Sequence, residues 1–175
     1  MPERLVLDAS AALAFLRNEP RRAEVAELLA RHLAAGGAVI APEIFWLEVT
    51  NVLVRRHMSS FEDVLAALRN LDEFGIETVV GDRSLTILGL DLMVTHGLSA
   101  YDAAYLALAI AEDAQLLTVD TRLDRAAGGR SALGHSPGVH ETPAPYGSAA
   151  VADPLATHGA FLAELRRQAE AGVLR

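Results

Sequence analysis

The pattern of apolar and polar positions along the chain predicts an alternation of strands and helices. Apolar residues at helical spacing, such as Val25, Leu28 and Leu29, indicate amphipathic helices, and short apolar runs such as Leu5–Leu7 are typical of buried strands. We expect strands at 4–8, 38–41, 76–80 and 114–119. We expect helices at 8–16, 21–35, 43–57, 61–74, 84–96, 99–110, 121–127 and 154–171.

This alternation predicts an α/β protein: a three-layer α/β/α domain with a central, mainly parallel sheet. No two predicted strands are joined by a hairpin turn, and we find no internal repeat or heptad pattern. Residues 1–127 carry all the predicted strands and form the domain. Residues 128–153 are rich in Gly, Pro and Ser, which is typical of a linker, and residues 154–175 form a helical C-terminal appendage.

Composition narrows the possible classes of protein. The 175 residues are 51% hydrophobic, so the chain is long and apolar enough for a folded core. The formal net charge of −8 disfavours broad electrostatic binding of nucleic acid. There is no cysteine and no lysine, which excludes disulfides, thiolate metal sites and any mechanism that needs a lysine. With no membrane-length apolar run and no secretory signal, we expect a cytoplasmic protein without a membrane partner.

The stretch 99–110, S-A-Y-D-A-A-Y-L-A-L-A-I, is a strong helix former that carries one carboxylate, Asp102. An apolar run this dense predicts a buried helix, in which an acid needs a partner. Ser99 and Asp102 fit the S-x-x-D pattern of a capping box, so Asp102 has a structural explanation as well as a chemical one.

Three more acids occupy suggestive places. Asp8 and Asp120 each follow a predicted strand directly, and ligands of parallel α/β sheets bind at that edge. Either could instead be a helix N-cap, as could Ser10. Glu48 lies in the apolar middle of a predicted helix, on the same face as Ile44, Asn51 and Arg55. This face could instead be the solvated face of an amphipathic helix.

Four carboxylates in one crevice, with Asp124 as a candidate fifth, would repel one another and raise each other's pKa. Mg²⁺ or Mn²⁺ would relieve this repulsion, because both cations prefer carboxylate oxygen and retained water. Such a site suits hydrolysis of a phosphodiester, since the metal lowers the pKa of the attacking water and neutralises charge on the phosphate.

Four motifs then make the pattern specific: L-V-L-D-A-S, E-V-T-N-V-L-V-R-R, L-S-A-Y-D-A-A-Y-L-A-L-A and L-L-T-V-D-T-R-L-D-R-A. In this order they resemble the signatures of the PIN-domain family, most closely the VapC-type toxins of toxin–antitoxin pairs, over about residues 4–127. The resemblance implies a Mg²⁺- or Mn²⁺-dependent endoribonuclease that forms a homodimer and is inhibited by a cognate antitoxin. It places the catalytic, metal-binding acids at Asp8, Glu48, Asp102 and Asp120.

Further residues support this hypothesis. Ser10 and Thr118 match family positions that support the site, and Asn51 lies where the family often has a polar helix residue. Asp124 is a further supporting acid. The candidate contacts to RNA phosphates are Arg17, Arg55, Arg56 and Arg122.

Two other functions remain open: an inactive PIN-like module that binds RNA or protein, and a phosphatase with Asp8 as nucleophile. The second is disfavoured because Ser10 stands where such enzymes have a second Asp, and no lysine is present.

The C-terminal region also leaves alternatives. The appendage either docks as an extra helix through Phe161, Leu162 and Leu165 or acts as an antitoxin-like segment that inserts Arg166 or Arg167 into the site. A metal site at His135 and His140 is disfavoured because no acidic partner accompanies the two histidines.

Overall fold

The computed structural model describes residues 3–57 and 60–134, except for the side chain of His57. Within these ranges the strands are β1 (Arg4–Leu7), β2 (Ala38–Pro42), β3 (Glu77–Val79) and β4 (Gln115–Leu117). The helices are α1 (Ala9–Leu16), α2 (Arg22–Ala34), α3 (Ile44–His57), α4 (Phe61–Asp72), α5 (Arg83–His96), α6 (Ala100–Ala111) and α7 (Thr121–Ala127). A single 3₁₀ turn, Gly128–Arg130, follows α7.

The four strands form one parallel sheet in the order β3-β2-β1-β4. Val6 in the central strand β1 lies opposite both Ile40 of β2 and Leu116 of β4. Two helices connect each pair of consecutive strands, as parallel strands require a crossover. The predicted three-layer α/β/α fold is therefore confirmed for the described residues.

The strand order reverses between β1 and β4. The chain proceeds from β1 to β2 to β3 in one direction and then returns to place β4 on the other side of β1. In parallel α/β sheets, the crevice beyond the carboxyl ends of the strands at such a reversal is the usual ligand site. Asp8 follows β1 and Asp120 lies just beyond β4, so both flank this position.

Helix α6 is largely buried, as the run of Ala and Leu predicts. Six of its twelve residues are buried, and it packs on β1, β2 and β4 as well as on α5. The small side chains of Ala103 and Ala107 let the helix approach the sheet closely. Burial of this helix fixes the residues at its N-terminal end relative to the strand ends.

The boundaries of two strands differ from the prediction. β2 includes Pro42, which lies opposite Val79, whereas we expected the strand to end before the proline. β4 ends at Leu117 rather than at 119, because Thr118 leaves the ladder and uses its side chain for other contacts. The other predicted elements within the described ranges agree to within two residues at each end.

The polypeptide after α7 continues to pack on the sheet for a few residues. Ser131 forms a parallel bridge with Leu116, and the amide of Ala132 donates to the carbonyl of Leu116 at 2.9 Å. The rest of the predicted linker and the whole predicted appendage, including His135, His140 and the candidate docking residues, lie outside the described residues. No helix in the described ranges is both long enough and apolar enough to cross a membrane.

Candidate functional site

Asp8 is the buried centre of the site. It follows β1, it is the N-cap of α1, and only 5% of its surface is exposed. Its Oδ2 atom accepts hydrogen bonds from the hydroxyl of Ser10, from the amide of Ser10 at 3.3 Å and from the hydroxyl of Thr118 at 2.8 Å. A carboxylate with this many donors is held in one orientation.

Ser10 and Thr118 connect the ends of β1 and β4. Their two hydroxyl oxygens lie 3.2 Å apart, the amide of Val119 donates to Ser10 Oγ at 3.1 Å, and the amide of Asp120 donates to Thr118 Oγ1 at 3.0 Å. The two predicted supporting hydroxyls therefore lie beside Asp8 and bind the backbone that leads into Asp120.

Asp120 is the N-cap of α7, as the structural alternative for it predicts, whereas the N-cap of α6 is Ser99, to which Asp102 is hydrogen-bonded. Asp120 Oδ1 accepts from the amides of Arg122 at 2.9 Å and Leu123 at 2.8 Å. Ser99 Oγ accepts from the amide of Asp102 at 3.1 Å and donates to Asp102 Oδ2 at 2.8 Å. Capping alone does not account for all four acids, because Glu48 lies in the interior of its helix.

Glu48 is half-buried on α3, and its Oε2 atom accepts a hydrogen bond from the hydroxyl of Tyr105 at 2.5 Å. Its neighbours along the helix, Asn51 and Arg55, are exposed. The solvated-face interpretation therefore holds for those two residues but not for Glu48. Tyr105 was not recognised as a site residue from the sequence.

The four carboxylates share one arrangement of their oxygens. In each, a single oxygen accepts all the protein hydrogen bonds: Oδ2 of Asp8, Oε2 of Glu48, Oδ2 of Asp102 and Oδ1 of Asp120. The second oxygen of each accepts no hydrogen bond from any residue that the structure describes. Each acid is thus anchored through one oxygen and can offer the other to a ligand.

Electrostatic coupling shows which acids lie close together. Burial raises the pKa of Asp8 from an ordinary 3.8 to about 6; hydrogen bonds from Ser10 and Thr118 lower it, and the charges of Asp102 and Asp120 raise it. Burial likewise raises the pKa of Glu48 from 4.5 to about 7. The hydrogen bond from Tyr105 lowers this pKa, and the charges of Asp8 and Asp102 raise it. Asp8 therefore interacts with all three other acids.

No basic side chain in residues 3–57 and 60–134 forms an ion pair with any of these four acids. The ion pairs within those ranges are Arg4–Glu112, Arg17–Glu19, Arg21–Glu24 and Arg130–Asp113. Uncompensated carboxylates around a buried acid are the donor set that a hard divalent cation prefers. The donor chemistry and the charge of these acids fit a divalent cation. In the present side-chain arrangement, however, no three acidic or imidazole groups of the described residues are close enough to hold one ion.

The remaining candidate residues lie away from the cluster or have other partners. The buried carboxylate of Asp124 accepts from the hydroxyl of Ser131, and its charge is not among those that shift the pKa of Asp8 or Glu48. The guanidinium of Arg122 donates to the carbonyl of Gly97, and that of Arg17 pairs with Glu19. The other two candidates for phosphate contacts, Arg55 and Arg56, are exposed on α3.

The sequence of residues 5–129 matches the family model of the PIN domain. The chain belongs to the PIN-domain family. Apart from Arg4, the match covers every strand and α-helix of the described residues, so the carboxylate cluster lies within the PIN domain. A search of curated proteins finds no match.

Three solved structures have a fold similar to that of this chain. VapC20 of Mycobacterium tuberculosis, a sarcin-ricin loop cleaving toxin, is 18% identical with a TM-score of 0.57, over 70% of this chain and 94% of VapC20. PAE2754 of Pyrobaculum aerophilum is 24% identical with a TM-score of 0.53, over 73% and 81% of the two chains. VapBC2 of Rickettsia felis, bound to a DNA fragment from its promoter, is 19% identical with a TM-score of 0.53, over 70% and 92%.

Proposed function

We propose that this PIN domain is a metal-dependent endoribonuclease that hydrolyses RNA phosphodiester bonds as the toxin of a toxin–antitoxin pair. The observation that carries the proposal is the cluster around Asp8. Four acids meet at the strand-order reversal, each with one oxygen anchored and the other without a hydrogen bond from the described residues.

In this proposal the acids hold Mg²⁺ or Mn²⁺. Asp8, Asp102 and Asp120 would bind it through their second oxygens once their side chains converge on the ion, and Glu48 would bind it directly or through water. When bound, the cation lowers the pKa of the attacking water and offsets the negative charge of the phosphate. Ser10 and Thr118 keep Asp8 in place through its Oδ2 atom.

The raised pKa values affect how the acids bind the cation. With pKa values of about 6 and about 7, Asp8 and Glu48 are only partly protonated near neutral pH in the cation-free protein, Glu48 more so than Asp8. They must release these protons to act as ligands, so cation affinity should increase as pH rises through this range.

The substrate and partners are proposed from the family and its solved neighbours. VapC20 is described as a toxin that cleaves the sarcin-ricin loop, which favours RNA as the substrate of this chain. VapBC2 was solved with promoter DNA, which is consistent with a regulated toxin–antitoxin pair and hence with a cognate antitoxin here. We also propose a homodimer and a cytoplasmic location. The exposed apolar side chains of Ile87, Leu90 and Val94 on α5 support the dimer, because they form one stripe that a second copy would cover.

The decisive experiment is Mn²⁺-dependent cleavage of total RNA with mapping of the new ends. Asp8→Asn and Asp102→Asn should abolish cleavage, whereas Asp91→Asn, which alters an exposed acid on α5, should cleave at the wild-type rate. Equal cleavage by wild type and Asp8→Asn would contradict the proposal. Mapping of the ends distinguishes cuts within the RNA from removal of terminal nucleotides.

The inactive binding module is the second candidate. The exposed Arg55 and Arg56 on α3 favour it, because neither makes a hydrogen bond within the described residues and both are free to contact RNA. A module of this kind would bind RNA without Mn²⁺ and would leave it intact.

A further inference from the structure

Tyr105 is a buried polar side chain that the proposed chemistry does not use. It lies on α6, three residues after Asp102, so the two side chains share one face of the helix. Tyr105 is completely buried, whereas Tyr101, one turn earlier on α6, is 51% exposed. A hydroxyl in such a place is unfavourable unless it forms a hydrogen bond.

The hydroxyl of Tyr105 lies where three segments of the site meet. It donates to Glu48 Oε2 at 2.5 Å, and so links α6 to α3 across 57 residues of sequence. Burial and the charges of Asp8 and Glu48 raise the pKa of Tyr105, whereas the backbone of Ala9 lowers it. Ala9 begins α1 directly after Asp8, so the segments that meet at this hydroxyl carry Asp102, Glu48 and Asp8.

A phenylalanine would fill the same core space, so packing alone does not require the hydroxyl. The side chain of Glu48 has three rotatable bonds, and Tyr105 provides its only hydrogen bond from the described residues. We propose that Tyr105 is a positioning residue, which holds Glu48 through Oε2 and so leaves Oε1 for the cation. This inference rests on the proposed function, because it assigns Tyr105 a role in the same cation site.

The test compares Tyr105→Phe with Tyr101→Phe in the full chain. Tyr101 is the matched control, because it lies on the same helix and its hydroxyl makes no hydrogen bond within the described residues. Mn²⁺ affinity is measured by calorimetry, and the Mn²⁺ dependence of RNA cleavage is measured separately. Loss of an outer partner of a metal ligand typically weakens metal binding by about 10- to 100-fold. We expect that loss for Tyr105→Phe, with cleavage largely recovered at saturating Mn²⁺, and no change for Tyr101→Phe.

A double-mutant cycle tests whether Tyr105 acts through Glu48. In a Glu48→Ala background, Tyr105→Phe should weaken Mn²⁺ binding no further, because the group it positions is absent. An equal loss in both backgrounds, or wild-type Mn²⁺ affinity in Tyr105→Phe, overturns the inference.

Asp8→Asn separates this inference from the proposed function. If Asp8→Asn abolishes Mn²⁺ binding but Tyr105→Phe does not weaken it, only the role of Tyr105 fails. If Asp8→Asn retains wild-type Mn²⁺ binding, the proposed site itself fails. A measurement without a Tyr105 variant is also available: the Tyr105 hydroxyl proton should exchange slowly with solvent in wild type and faster in Glu48→Ala. Equal exchange in both proteins overturns the contact.

Discussion

Thr118 Oγ1 donates to Asp8 Oδ2 at 2.8 Å and joins two strand ends that are 110 residues apart in the sequence. The same oxygen accepts the amide of Asp120 at 3.0 Å. Thr118 is fully buried, so this single hydroxyl fixes the carboxylate after β1 and the backbone after β4 without exposure to solvent.

Replacement of Thr118 by Val should therefore change both the pKa of Asp8 and the stability of the protein. The hydrogen bond from Thr118 lowers the pKa of Asp8, so its loss should raise that pKa above the present value of about 6. A hydrogen bond to a charged group contributes about 1.5–3 kcal/mol, and the free energy of unfolding should fall by a similar amount at pH 8. Carboxyl NMR titration and chemical denaturation measure the two effects, with the exposed Thr95→Val as the control. An unchanged pKa of Asp8 would contradict the prediction.

The stability of the cation-free protein should decrease as pH rises from about 4 to about 7. Folding raises the pKa of Asp8 and of Glu48, so the folded state binds more protons than the unfolded state in this window. The stabilisation from the protonated acids is complete below the pKa values that Asp8 and Glu48 have in the unfolded state. It is lost as pH rises through the pKa values that they have in the folded state.

Asp8→Asn should remove the Asp8 part of this pH dependence. At about 1.4 kcal/mol per pKa unit, the variant should gain up to about 3 kcal/mol of unfolding free energy relative to wild type between pH 4 and pH 8. Denaturation curves at several pH values, recorded with a chelator, measure the difference. A constant difference between the two proteins would show that Asp8 does not titrate differently on folding.

Mg²⁺ or Mn²⁺ should reverse this loss of stability at pH 8. A cation that binds only the folded state stabilises it by about 2.7 kcal/mol at a concentration 100 times its Kd. The midpoint of thermal unfolding of wild type should therefore rise with added Mn²⁺, whereas that of Asp8→Asn should not. Parallel increases in both proteins would indicate binding elsewhere in the molecule.

Arg122→Ala distinguishes a structural role for this arginine from contact with RNA phosphate. The guanidinium donates to the carbonyl of Gly97, which ends α5 in the left-handed conformation with φ 64° two residues before Ser99. Loss of this hydrogen bond should accelerate amide hydrogen exchange at the start of α6. Arg69→Ala, which alters an exposed arginine on α4, is the control. An increased KM for RNA with unchanged exchange would instead support the phosphate role.

Much of the fold could be predicted because the sequence is locally consistent. The apolar runs, the Ser and Asp residues at helix starts and Gly97 at a helix end each predict the element that forms. The end of β4 could not be predicted, because Thr118 and Val119 continue its β-branched pattern. The strand ends where the side chain of Thr118 instead contacts Asp8, at the end of β1. Long-range contacts of this kind have no local signature.

The candidate site was predictable in its acids and less so in its supporting residues. Strand ends and motif order indicated Asp8 and Asp120, and Asp102 followed from an acid within an apolar run. Tyr105 in Y-L-A-L-A-I has the appearance of a core aromatic, and only its spacing of three from Asp102 indicated the shared face. Arg122 has the appearance of a surface cation, because nothing nearby in the sequence indicates its contact with Gly97.

The capping bonds of Asp8 and Asp120 determine how inactive forms of this protein should be made. Alanine at either position removes a helix cap together with a charge, and loss of a cap costs about 0.5–2 kcal/mol. Asparagine retains an oxygen that can accept the capping hydrogen bonds and removes only the charge. An inactive alanine variant would confuse a damaged helix start with a lost ligand, whereas an inactive asparagine variant reports on chemistry alone.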